Sequence, residues 1–167
     1  MRYRDCPTVE VEERIAGDPA AIWALVTDIT FPVRQSRELL AVEWLDGATE
    51  VAVGNRFRGR NNNENLGEEW ETDCTVIECE PPHRWVWQVG GLDGTSATWG
   101  FEVDPGNDAV RVRQWARMGP GRSGLSLAID AMPEKEGRIV ARRLSEWRDA
   151  IADNLAALKA TVATQRL

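Results

Sequence analysis

The sequence predicts an α+β domain: a curled seven-stranded antiparallel sheet wrapped around one long C-terminal helix, with two short helices after the first strand. Three observations carry this. Residues 7–15 alternate apolar and charged side chains, as a strand with one wet face does. Between residues 39 and 118, short segments of the same kind are separated by tight-turn signals, which pair strands antiparallel. From Glu134 onward, Val140, Leu144, Trp147, Ile151, Leu155, Leu158 and Val162 follow at spacings of 4, 3, 4, 4, 3 and 4, the stripe of one amphipathic helix. The 167 residues suit one domain, spanning 1–167.

After the first strand, Asp18-Pro19 opens a helix, because Asp accepts from free N–H groups and Pro at the first position lacks one. Ile22, Trp23, Val26 and Ile29 give it an apolar side, Phe31-Pro32 breaks it, and a second short helix is expected from Val33 to Glu38. The next strands fall at 39–46, 54–61, 68–80, 84–90, 97–104 and 108–118. Asp46-Gly47, the Asn-rich stretch from Asn61, Pro81-Pro82, the GGLDGT turn and Asp104-Pro105-Gly106-Asn107 punctuate them. Residues 119–133 begin rich in Gly and Pro and read as a loop or flap. About thirty residues at about 1.5 Å each make the final helix about 45 Å long, enough to cross the sheet.

Composition excludes several classes of function. A net charge of −7 is ill suited to duplex nucleic acid, whose phosphates need a basic surface. No apolar run is long enough to span a membrane. The N-terminus has no apolar export core, and Cys6, Cys74 and Cys79 cannot all pair within one chain, so a reducing cytoplasmic setting is expected. Cys74 and Cys79 fall on opposite faces if the strand is regular. One histidine and scattered cysteines make no transition-metal site.

Eight tryptophans against three Phe and one Tyr are the unusual feature. By alternation Trp70, Trp85, Trp87 and Trp99 face inward, and Trp147 lies on the sheet-facing stripe of the helix. Such a set makes either a bulky core or an aromatic-walled pocket. In the last strand Val110, Val112, Gln114, Ala116 and Met118 form the inner face, since Arg111, Arg113 and Arg117 would be costly to bury unpaired. Trp115 then lies outside among arginine stems, as a cation–π cluster or a homodimer contact.

The order of elements, with DPAAIWALVTDITFP, GNRFRGR, EEWETDCTVIECEPPHRWVWQV and TWGFEVDP, resembles the SRPBCC (START-like, helix-grip) superfamily, and within it the polyketide cyclase/dehydrase and lipid-transport family. The resemblance covers roughly residues 7–160. It implies a helix-grip fold with an apolar cavity between sheet and long helix, binding of a hydrophobic small molecule such as a lipid or polyketide, and no metal or organic cofactor. It carries no shared catalytic set, so the catalytic residues are unknown.

The residues expected to meet a ligand are Trp70, Trp85, Trp87, Trp99 and Trp147 as walls, with Met118 and Leu144 beside them. Thr72, Cys74 and Gln114, with Asn61 and Asn63 as further candidates, are polar groups on the same faces, and Arg34 (with Arg37) is placed at the mouth. Ala141, Ala150 and Ala157 would leave room along the helix. His83, after two prolines in a corner, is expected to face water. The acids Glu68, Glu69, Glu71 and Asp73 read as a solvated strand face, and Gly119-Pro120-Gly121 does not fit a nucleotide loop. Three readings of function follow: a carrier of a hydrophobic small molecule, a polyketide aromatase/cyclase or dehydratase, and a protein–protein module.

Overall fold

The structure, a computed structural model, describes residues 1–165. Its strands are β1 (Thr8–Ile15), β2 (Leu39–Trp44), β3 (Arg56–Asn61), β4 (Trp70–Glu80), β5 (Arg84–Gly90), β6 (Thr95–Pro105) and β7 (Val110–Met118). Its helices are α1 (Pro19–Val26), α2 (Gly124–Ala131) and α3 (Glu136–Gln165). The seven strands form one antiparallel sheet in the order β1-β7-β6-β5-β4-β3-β2. Strands 2 to 7 follow one another as a meander, and β1 closes onto β7, so the first and last strands lie side by side. Among the described residues no helix is long and apolar enough to cross a membrane.

α1 begins as its sequence predicts: Asp18 Oδ1 accepts from the Ala20 N–H at 3.2 Å, and Pro19 takes the first position. The second short helix is displaced. A 3-10 turn occupies Phe31–Arg34, because Pro32, expected to break a helix, fits its first turn without losing a hydrogen bond. Residues 119–133 are not all loop. Ser123 and Ser126 exchange side-chain and backbone hydrogen bonds that start α2, which packs Leu125 into the core.

A bulge in β4, between Val76 and Glu78, shifts the pairing with β5. Cys74 pairs with Val89 and Cys79 with Trp85, so the extra residue returns Cys79 to the face of Cys74, contrary to the regular alternation expected above. Four residues of extended chain still lie between them, and all three cysteines are free thiols.

α3 runs alongside β1, with Tyr3 bonded to Glu136 near its start and Lys159 to Glu13 near its end. Its predicted stripe faces inward throughout: Val140, Leu144, Ile151, Leu155, Leu158 and Val162 are buried and Trp147 is half-buried. Ile151, Leu155, Leu158 and Val162 of its C-terminal part share one buried core with Ile15, Ile22, Val103, Val110 and Val112.

The convex face is charged and paired. Arg56 and Arg58 meet Asp73, and Arg60 meets Glu69, in a cross-strand ladder between β3 and β4. This is the solvated acidic face expected from the sequence. Trp115 lies flat over Gly100, where a Cβ would come within 2.5 Å of the indole, and Arg84 sits 5.6 Å from its ring. A cation–π contact is therefore present as the sequence suggested, but its arginine is Arg84 of β5 rather than one of the β7 arginines.

Candidate functional site

The concave face carries a row of aromatic rings. Phe57 stands 6.4 Å from Trp85 and 6.2 Å from Trp87. Trp85 stacks on Trp87 at 4.3 Å, Trp87 on Trp99 at 6.2 Å, and Trp99 meets Trp147 of α3 at 5.1 Å. The cause is register. Trp87 and Trp99 are directly opposite on β5 and β6, Trp85 faces Phe101, and Phe57 faces Cys74. Cross-strand pairs on one face lie close enough for rings to stack.

The row changes character along its length. Trp85 is 2% exposed, and its Nε1–H donates to the Val26 carbonyl of α1 at 2.9 Å, so it belongs to the core. Trp87, Trp99 and Trp147 remain partly exposed although they face the inside of the curl, as do Thr72 and Trp70. Along the first half of α3 these rings line the concave face and keep part of their surface accessible, as an aromatic trough. Gly59, opposite Thr72, is buried beneath neighbouring side chains: a Cβ there would meet Thr72 Oγ1 at 3.4 Å and Leu39 at 3.3 Å.

The space beneath the second half of α3 is nearly full. A cavity of about 10 Å³, room for about one water, lies there between Val26, Phe31, Phe101, Asn154 and Leu158. Ala141 and Ala150 face outward and leave no room inside; only Ala157 packs on the core. The interior therefore offers a cleft rather than the roomy hollow expected, because indoles occupy it and stack on one another. A larger groove, about 580 Å³, lies on the convex face between Gln88, Thr98, Arg117 and the turn at Asp93 and Gly94.

At the end of the trough is a polar cluster of which the sequence pointed only to Asn63. Arg143 is 8% exposed and donates from Nη1 and Nη2 to the two oxygens of Glu38 at 2.6 and 2.9 Å. Its guanidinium lies 5.7 Å from the Trp147 ring. Asn63 donates to Glu38 at 2.9 Å and to Glu146 at 2.6 Å, tying the β3–β4 loop to α3. Burial alone would raise the Glu38 pKa; the hydrogen bonds and charge of Arg143, with Asn63, outweigh it and hold the carboxyl below its ordinary value. One signal was available in the sequence: Arg143 is three residues after Val140 and four before Trp147, on the apolar stripe itself.

A second polar chain crosses the core. Gln35 donates to Asn154, whose Nδ2 donates to Gln114 Oε1 at 3.0 Å, so the predicted Gln114 is satisfied from α3. Met118 and Leu144 are buried, 1% and 6% exposed. Trp70 opens β4 opposite Asn61 at the trough's end. Arg34 is exposed, with its guanidinium 5.3 Å from the Phe31 ring, and Arg37 is exposed as well. His83 is exposed at the β4–β5 corner. Burial pushes the Cys74 thiol up to about 12.

Solved structures share this architecture. A Polyketide_cyc-like protein from Corynebacterium glutamicum is 26% identical, with a TM-score of 0.65 over 95% of this chain and 92% of its own. A protein from Thermus thermophilus is 15% identical, with a TM-score of 0.67 over 95% of this chain and 99% of its own. The di-domain ARO/CYC StfQ of the steffimycin biosynthetic pathway is 14% identical, with a TM-score of 0.68; the match covers 98% of this chain and 54% of StfQ. No curated protein sequence matches the chain. Residues 7–163 match the family described as polyketide cyclase / dehydrase and lipid transport, and with the curled sheet around α3 this makes the chain a member of that family.

Proposed function

We propose that the protein binds a flat hydrophobic small molecule in the aromatic trough between β4–β6 and the first half of α3. The observation that carries this reading is the partial exposure of Trp87, Trp99 and Trp147 on the concave face. Large apolar rings left accessible inside a fold, with few polar groups near them, suit an apolar guest that covers them. Family membership supports the same class of ligand.

Carriage or sequestration is favoured over cyclisation by the state of the ionisable groups. Glu38, Arg143 and Glu146 at the trough's end pair with one another. The hydroxyl of Tyr3 donates to the Gly121 carbonyl at 2.5 Å and holds the chain's start in place. Acid–base catalysis needs a group within reach of the substrate and unspent on the fold. Titration with fatty acids, sterols and polycyclic aromatics, followed by tryptophan emission and thermal melting, tests the proposal. A saturable change in emission with a raised Tm is expected; no response to any of the three classes overturns it.

A further inference from the structure

Arg143 is an unusual neighbour for a row of indoles. Its side chain is 10% exposed, and a buried guanidinium persists only where its charge and donors are matched. Here the matching is excessive. Glu38 grips both terminal nitrogens, and Glu146 stands 3.6 Å from Nη1. Two carboxylates thus converge on one cation, and the single amide of Asn63 bridges them. Like charges held this close oppose each other, so one of the two is surplus to neutrality. Glu38 and Glu146 are each 29% exposed, so a carboxylate released from the guanidinium can turn into water.

The rings lead to this group. Trp87 stacks on Trp99, Trp99 meets Trp147, and the Arg143 guanidinium lies over Trp147. A flat molecule lying along the row would bring a substituent at its edge to the guanidinium. Arginine's planar fork takes a carboxylate through two parallel hydrogen bonds, the geometry Glu38 now shows.

We propose that Arg143 anchors a carboxylate borne by a flat apolar ring system, and that Glu38 fills that place until the ligand displaces it. This rests on the trough being the binding site and names the polar end of its ligand. Glu38 is then a built-in competitor that favours acidic ligands able to replace it and keeps the guanidinium paired when the trough is empty.

The test uses anthracene-2-carboxylate and its neutral analogue anthracene-2-carboxamide, with affinity read from tryptophan emission in the full chain. Wild type is expected to prefer the carboxylate. Glu38→Gln removes the competitor's charge and should tighten carboxylate binding about tenfold while leaving the amide unchanged. Arg143→Met should weaken the carboxylate about tenfold or more and leave the amide within about twofold. Because the two variants shift affinity in opposite directions, loss of structure cannot imitate the pattern. A carboxylate-to-amide ratio unchanged in both variants overturns the anchor alone. Failure of wild type to bind either probe overturns the anchor; the trough reading falls with it only when fatty acids, sterols and other polycyclic aromatics give no response either.

Discussion

The two halves of α3 carry one apolar stripe and face one sheet, yet they are packed by different rules. From Ile151 to Val162 the helix presents branched aliphatics that are 1–2% exposed and share a core with Ile15, Ile22, Val103 and Val112. From Val140 to Trp147 the stripe includes an indole and a guanidinium, and what faces it is a stack of flat rings. Branched side chains interdigitate to the density of a crystal. Rings stacked on rings cover one another but leave edges uncovered. Val140 and Leu144 are buried there too, so the accessible apolar surface of the first half gathers at Trp147 and the ring it meets, while the second half of the stripe is closed throughout.

The largest expected effect breaks the packed half. Leu155→Ala should cost about 3 kcal/mol in urea unfolding, since the side chain is 1% exposed and the surrounding core is too tight to collapse into the gap. Trp147→Ala, two turns earlier on the same helix, removes a larger side chain but should cost only about 1–2 kcal/mol, because its ring is already partly wet. If Trp147→Ala proves the more destabilising of the two, the trough is closed in solution and the contrast fails. The same variant should weaken binding of polycyclic aromatics more than Leu155→Ala does, as measured by fluorescence titration.

A smaller effect lies in pH dependence. The Glu38 carboxyl titrates below its unfolded value, so its contribution to stability is complete above that unfolded value and is lost as pH falls through the lower folded one. Wild type should thus lose stability on acidification below about pH 4.3 more steeply than Glu38→Gln, a difference readable by urea melts across pH. Equal slopes would mean that the Glu38–Arg143 pair does not hold the trough's end together. The smallest effect is chemical. At pH 8 Cys74, whose thiol is pushed up to about 12, should resist iodoacetamide in the native state and react once the chain is unfolded, as seen by peptide mass mapping.

The packed half was legible because its signals are local and periodic. The stripe spacing marked α3 to within about two residues, and Asp18-Pro19 marked the start of α1. Alternation along β5 and β6 placed Trp85, Trp87 and Trp99 on one face, as found. The polar end of the site was less legible, because Arg143 and Glu38 are 105 residues apart and their pairing is a property of the folded chain. A charged residue on an apolar stripe was the clue, and the usual expectation that arginine is exposed concealed it. α2 was hidden by the Gly- and Pro-rich stretch before it, and the face of Cys79 by a bulge that no local residue announces. The width of the hollow depends on how rings settle against one another, which alternation does not specify.

The near-parallel overlap of Trp85 and Trp87, 25° between planes at 4.3 Å, has an optical consequence. Two indoles so placed share their electronic excitations and produce a paired circular-dichroism signal in the far ultraviolet, superimposed on the signal of the backbone. Helix content taken from such a spectrum would be distorted. The distortion is itself a gauge of the stack, and it would change when a guest molecule pushes the rings apart.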